Sequence, residues 1–120
     1  MTAGKNILLV EDEPSVAEAL SLVIAGQGFK VAIANNGRHA LDIIEDACPD
    51  LVITDFMMPL MNGAELAAAL RADSRWADVP IVVMSAASET AMRRHVGFDA
   101  YLRKPFEMRA LFEAVRRLVG

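Results

Sequence analysis

Five short apolar runs, each followed by a segment with helical spacing, constrain this chain more than any other feature of its sequence. The runs are NILLV (Asn6–Val10), KVAIA (Lys30–Ala34), DLVIT (Asp50–Thr54), PIVVM (Pro80–Met84) and AYLR (Ala100–Arg103). Between them, apolar residues recur every three or four positions. Pro14 marks a first helix, whose face carries Val16, Leu20, Val23 and Ile24 and which ends around Gly26 and Gly28. A second helix spans Arg38 to Asp46, with Leu41, Ile44 and Ala47 on one side, and a third spans Ala64 to Ala72. A loop holding Trp76 leads to the fourth strand, and a short fourth helix, Glu89 to Val96, follows it. The last helix gains a buried stripe from Leu111, Phe112, Val115, Leu118 and Val119. Strands that are apolar on both faces and alternate with helices indicate an α/β domain, a doubly wound parallel sheet covered on both sides.

With 120 residues, the chain has the length of one domain, and we expect a single unit over 1–120. Its 54% hydrophobic and 23% charged residues exclude a disordered chain. No apolar run approaches the ~20 residues of a membrane span, and the start, MTAGKN, has no signal-peptide character. A cytoplasmic protein with no membrane partner is expected. The single cysteine, Cys48, excludes an internal disulfide and reads as a small core or turn residue before Pro49. Charge is uneven: residues 1–85 hold 5 basic and 12 acidic side chains, and residues 86–120 hold 7 and 4. The basic end lacks a recognition-helix module, so direct nucleic-acid binding is not expected.

In a parallel sheet all strand C-termini share one edge, and ligands bind in the crevice outside it. Here the strands run out into Glu11 and Asp12, Asp55, Ser85 and Lys104. Singly, the acids could cap a helix, the serine could serve a turn, and the lysine could be a surface charge. Together they demand a counter-charge, since two carboxylates about 4 Å apart repel by about 4 kcal/mol at an effective dielectric of ~20. Lys104 supplies one positive charge and a divalent cation is the natural second. A set of hard oxygens with no His or Cys suits Mg²⁺, with Mn²⁺ as a substitute. If the backbone carbonyl of Met57 also turns to the metal, Asp55 keeps one oxygen free as a nucleophile.

The motifs LLVEDEP, LVITDFMMPLMNG, MSA and YLRKPF together resemble the receiver domain of two-component response regulators, over the whole chain. That resemblance implies a flavodoxin-like (βα)5 sheet of strand order 2-1-3-4-5, an arrangement for which a member of this family is a standard example. It implies that Asp55 is the phosphoacceptor, taking its phosphoryl group from a phosphohistidine of a sensor histidine kinase or a histidine phosphotransfer protein. Asp12, Asp55 and the Met57 carbonyl would ligate Mg²⁺, with Glu11 acting through a metal-bound water. Lys104 and Ser85 would contact phosphoryl oxygens, and small Ala86 would leave room for the incoming group. Tyr101 would act as an aromatic switch that alters the surface of helix 4, strand 5 and helix 5. This surface would control a downstream protein or effector domain, and the family allows a homodimer there. Such a protein is a phosphorylatable signalling switch in a phosphorelay and not an enzyme, although it promotes its own phosphorylation and dephosphorylation.

Two other readings compete. An aspartate-nucleophile phosphatase usually carries a second Asp two residues on, where this chain has Met57, and a non-phosphorylated interaction module would not need Glu11, Asp12, Asp55, Ser85 and Lys104. His39 and His95 lack a partnered motif. The stretch from Ser85 to Lys104 is a few residues shorter than receivers usually have, so a truncated helix 4 and an altered dimer surface are expected.

Overall fold

A computed structural model describes residues 4–93 and 97–119. The strands are β1 (Asn6–Val10), β2 (Lys30–Ala34), β3 (Leu51–Asp55), β4 (Ile81–Ser85) and β5 (Ala100–Arg103), and the helices are α1 (Pro14–Ala25), α2 (Gly37–Ala47), α3 (Gly63–Ala72), α4 (Glu89–Arg93) and α5 (Met108–Val119). The strands form one parallel sheet in the order β2-β1-β3-β4-β5. The α/β, doubly wound, flavodoxin-like architecture expected from the sequence is what the chain adopts.

Successive side chains on a strand point to opposite faces, so the sheet builds two cores at once. Ile7, Leu9, Leu51, Ile53, Val82 and Met84 pack with Ile24 of α1 and with Leu111 and Val115 of α5. Leu8, Val10, Val52, Ile81 and Val83 pack on the other face with Ile44 of α2, Leu66 and Leu70 of α3, and Met92 of α4. Strands buried along their whole length are found only at the centre. Every residue of β3 and β4 is buried, whereas β2, at the sheet edge, exposes Lys30 and Ile33, and β5 exposes Arg103.

Several local expectations need correction. Val16 is exposed, and Ala17 joins Leu20 and Ile24 in the buried face of α1, because positions 17, 20 and 24 share one arc of the helix and position 16 lies at its edge. Phe112 is only half-buried on α5, beside a buried Leu111, Ala114 and Val115. β3 and β4 each run one residue further than the apolar runs do, because the ladder outlasts the hydrophobic pattern: Phe56 N–H still donates to the Met84 carbonyl at 2.9 Å, and Lys104 N–H to the Ser85 carbonyl at 2.7 Å. Asp55 and Ser85 are therefore strand residues. Cys48 is exposed and adopts a left-handed conformation (φ 43°) at the end of α2, which makes it a turn residue and removes it from the core. The described part of α4 is five residues long, and the expected end at Val96 lies outside the described residues, as does His95.

The loop after β3 is shaped by close approach. A Cβ at Gly63 would stand 2.8 Å from the Asp55 carbonyl oxygen and 3.0 Å from Phe56 Cα, so only glycine lets α3 begin against the end of β3. Asn62 caps α3 by accepting from Glu65 N–H at 2.9 Å while Glu65 returns a bond to Asn62 N–H at 3.0 Å. Between β3 and this cap, Met61 N–H donates to the Pro59 carbonyl across Leu60, which has φ 67°.

Candidate functional site

Glu11 follows β1 directly, and its N–H extends the sheet by donating to the Ala34 carbonyl at 3.0 Å. Its side chain is almost fully buried at 2% exposure, as are Asp55 at 7% and Ser85 at 6%, while the neighbouring Asp12 is exposed. One carboxylate oxygen each of Glu11, Asp12 and Asp55 lies within 4.8 Å of the others. Lys104, one residue beyond β5, sends its Nζ to 2.8 Å from Asp55 Oδ1 and 3.6 Å from Glu11 Oε1. The peptide bond that follows it, to Pro105, is cis.

These placements bear on the simpler roles of the acids and the lysine, while Ser85 does serve its turn, its Oγ accepting from Ala87 N–H at 3.1 Å. Glu13 stands at the N-cap of α1 but makes no side-chain cap bond, and Glu11 turns back from the helix so that its Oε2 accepts from Glu13 N–H at 3.2 Å. Lys104 is no free surface charge. Burial works to lower its pKa, but the hydrogen bond and charge of Asp55, joined by Glu11, outweigh this and hold the ammonium above its ordinary value. The Glu11 carboxyl is pushed above its ordinary value chiefly by burial, with Asp55's charge adding to the effect and the Glu13 amide and Lys104 opposing it.

One atom tests whether the site suits a metal. Glu11 Oε1 is buried without a hydrogen-bond partner, an arrangement that ordinarily costs about 1–3 kcal/mol or more for a charged group. A hydrated hard cation among Glu11, Asp12 and Asp55 would satisfy that oxygen and offset the repulsion that Lys104 alone cannot. The donor set is entirely oxygen, and the residues therefore fit Mg²⁺.

The wall of the crevice opposite Glu11 is the turn after β4. Ser85 Oγ accepts from Ala87 N–H at 3.1 Å, and Ala86 is exposed. Tyr101 is half-buried on β5, its ring 5.5 Å from that of Phe98, and its hydroxyl donates to the Ala87 carbonyl and, at 3.3 Å, to the Ser85 carbonyl. The tyrosine thus touches the same turn that carries Ser85. Met57, two residues after Asp55, is 72% exposed. His39 belongs to a different setting: its Nδ1 accepts from Asn35 N–H at 3.0 Å at the start of α2.

Sequence reasoning overlooked two arginines. Arg71 leaves α3 to donate to the Ala77 and Val79 carbonyls and to Asp99 Oδ2, the oxygen that also accepts from Ile81 N–H, so it ties the Trp76 loop to the starts of β4 and β5. Arg103 donates from Nε to the Ala86 carbonyl at 3.3 Å. Arg71 lies on the polar side of a helix pattern and Arg103 is the polar end of an apolar run, and their partners, three backbone carbonyls and the Asp99 carboxylate, lie on other segments, so no local pattern announces the bonds.

Known proteins match this arrangement. The profile of the response regulator receiver domain matches residues 7–116. The DNA-binding response regulator MtrA of Mycolicibacterium smegmatis is 41% identical over 118 residues, which cover 96% of this chain and 50% of that protein. The chain spans about half the length of the curated relatives of this kind that it matches. Among solved structures, chemotaxis protein CheY4 of Vibrio cholerae superposes with a TM-score of 0.90 at 29% identity, covering 97% of this chain and 99% of that one. Response regulator TrrA of Thermotoga maritima, solved in complex with Mg²⁺ and BeF, does so with a TM-score of 0.82 at 32% identity, covering 95% and 98%. A parallel sheet whose C-terminal edge gathers three carboxylates and a lysine, together with these matches, shows that the chain belongs to the response regulator receiver domain family of two-component signal transduction.

Proposed function

We propose that Asp55 is the phosphoacceptor of a signalling switch and that its phosphoryl donor is the phosphohistidine of a sensor histidine kinase or a histidine phosphotransfer protein. The observation that carries this reading is the site itself: Lys104 Nζ stands 2.8 Å from Asp55 Oδ1, and Glu11 and Asp12 stand in metal-ligand range of Asp55. In the transfer, an Asp55 carboxylate oxygen bonds to phosphorus as the bond from phosphorus to the imidazole nitrogen breaks, and the electron pair leaves with the histidine. Lys104 then pairs with a phosphoryl oxygen, Ser85 donates its hydroxyl to another, and Ala86 leaves the approach open. Asp12, Asp55 and the Met57 carbonyl would hold Mg²⁺, with Glu11 acting through water. The bound ion supplies neutralisation of the charge that accumulates on the phosphoryl oxygens.

A groove of about 520 Å³ beside the site, lined by Val16, Leu20, Ala86, Lys104, Pro105, Phe106 and Met108, offers the donor protein an apolar footing. On the other side, a phosphoryl group of about -1.5 to -2 charge draws the Ser85 turn inward, and Tyr101, bonded to that turn, passes the change to the surface of α4, β5 and α5. A downstream protein or effector domain reads that surface, which also serves a homodimer if one forms. The named relative is a DNA-binding regulator, and any DNA contact would belong to such an effector domain. Among the described residues no helix is long and apolar enough to cross a membrane, in keeping with a cytoplasmic switch.

Incubation with acetyl phosphate and Mg²⁺ followed by intact-mass measurement tests the reading. One phosphoryl group is gained, Asp55→Asn abolishes the gain, and Asp12→Ala loses both the gain and measurable Mg²⁺ binding. An unmodified wild-type mass, or undiminished Mg²⁺ affinity in Asp12→Ala, overturns it.

A further inference from the structure

The turn after β4 is held at three consecutive carbonyls by β5. The Ser85 carbonyl accepts from Lys104 N–H at 2.7 Å and from the Tyr101 hydroxyl at 3.3 Å, the Ala86 carbonyl from Arg103 Nε at 3.3 Å, and the Ala87 carbonyl from the Tyr101 hydroxyl. Tyr101 and Arg103 are two apart on one strand and reach over the same face of the sheet, where Tyr101 packs in the cluster of Val83, Met92 and Phe98. Ser85 and Arg103 are partners in the ladder, so the guanidinium is anchored beside the residue whose turn it holds.

We propose that Arg103 is a positioning residue for the site at Asp55: by holding the Ala86 carbonyl it sets the resting place of the Ser85 turn and resists that turn's movement toward a phosphoryl group. This inference rests on the reading of Asp55 as phosphoacceptor. When the site fills, the phosphoryl oxygens attract the Ser85 hydroxyl and residues 85–87 are drawn toward Asp55. The main-chain bond from Lys104 N–H belongs to the ladder and moves least. The Arg103 bond is made by an exposed side chain at 3.3 Å, and it is the contact that yields. A bond present in the empty state and lost in the filled one favours the empty state by its own net strength.

Removing it therefore tightens binding of a phosphoryl mimic. With Mg²⁺ saturating, beryllofluoride binds Arg103→Met about two- to fivefold more tightly than wild type, the range set by one partly solvated hydrogen bond. The titration is done at high salt, so that the loss of a positive charge near an anion site is screened. The Ala87 amide exchanges faster in unliganded Arg103→Met. Equal or weaker beryllofluoride binding in Arg103→Met overturns the proposal. A wild-type protein that takes up neither beryllofluoride nor a phosphoryl group overturns instead the reading of Asp55 on which it stands.

Discussion

At the residue scale the chemistry turns on a carboxylate that is costly to bury. Glu11 has its carboxyl pKa raised by burial, with the charge of Asp55 adding to the shift. A group whose pKa is higher in the folded than in the unfolded chain adds stability below its unfolded value of about 4.5, and that contribution is lost as pH rises through the folded value. Without Mg²⁺, Glu11→Gln is therefore more stable than wild type at neutral pH, and the difference shrinks as pH falls through the raised pKa. Urea unfolding at several pH values checks this, and a pH-independent difference contradicts it. Met57 governs a second residue-scale property. Its thioether is exposed two positions after Asp55 and cannot orient an attacking water, as an amide could. Phosphorylated Met57→Asn consequently loses its phosphoryl group several-fold faster than wild type, on the scale of a modest general-base effect. Equal decay rates followed by intact mass would remove the argument. Glu11, Asp12 and Asp55 were legible in the sequence, since the acidic pair and Asp55 end apolar runs, whereas attention to Met57 came from the family resemblance. The bonds made by Arg71 and Arg103 were not legible, because a side chain's choice of a remote carbonyl leaves no trace in local pattern.

At the scale of elements the site depends on how tightly α3 starts against β3. With Asp55's carbonyl oxygen 2.8 Å from where a Cβ at Gly63 would sit, Gly63→Ala forces backbone to move and costs about 1–3 kcal/mol in urea unfolding. The same shift moves Asp55, so Mg²⁺ affinity falls with stability. A substitution that left both unchanged would show that the approach is looser than described. The reason for Gly63 is steric contact with a neighbouring element, visible only once strand and helix are docked. Helix 4 stands at the other extreme. Its described part is five residues, with Met92 as its one buried side chain, an Arg93–Glu89 ion pair at 2.9 Å and the Arg93 guanidinium over the Phe98 ring. Even over the Glu89 to Val96 span that the sequence suggests, such a helix has little stability of its own. Amides of Ser88 to Arg93 should exchange with solvent far faster than those of α5 in the empty protein, and slow when beryllofluoride and Mg²⁺ fill the site. Protection equal to that of α5 in both states would show a rigid helix instead.

For the whole molecule, stability and function are separated along the strands. Buried centres of β1, β3 and β4 join the two cores, while their C-terminal ends carry the polar residues to one edge. The sequence by itself determined the order and type of the elements, the sheet's parallel character and the identity of the acidic cluster, because hydrophobic period and strand-end position are local properties read along one chain. Strand order came from the family resemblance. Only the tertiary structure decided which apolar residues are covered, as Val16 and Phe112 show, and where each strand stops, as Asp55 and Ser85 show. It also decided that Glu11 Oε1 has the Lys104 ammonium at 3.6 Å but no hydrogen bond, that Lys104 lies closer to Asp55 at 2.8 Å, and that Tyr101 and Arg103 grip the Ser85 turn. Burial, charge separation and side-chain bonds to distant carbonyls depend on distances between elements, and those distances are fixed by packing two cores against one twisted sheet, a property of the assembled fold and of no single segment of its sequence.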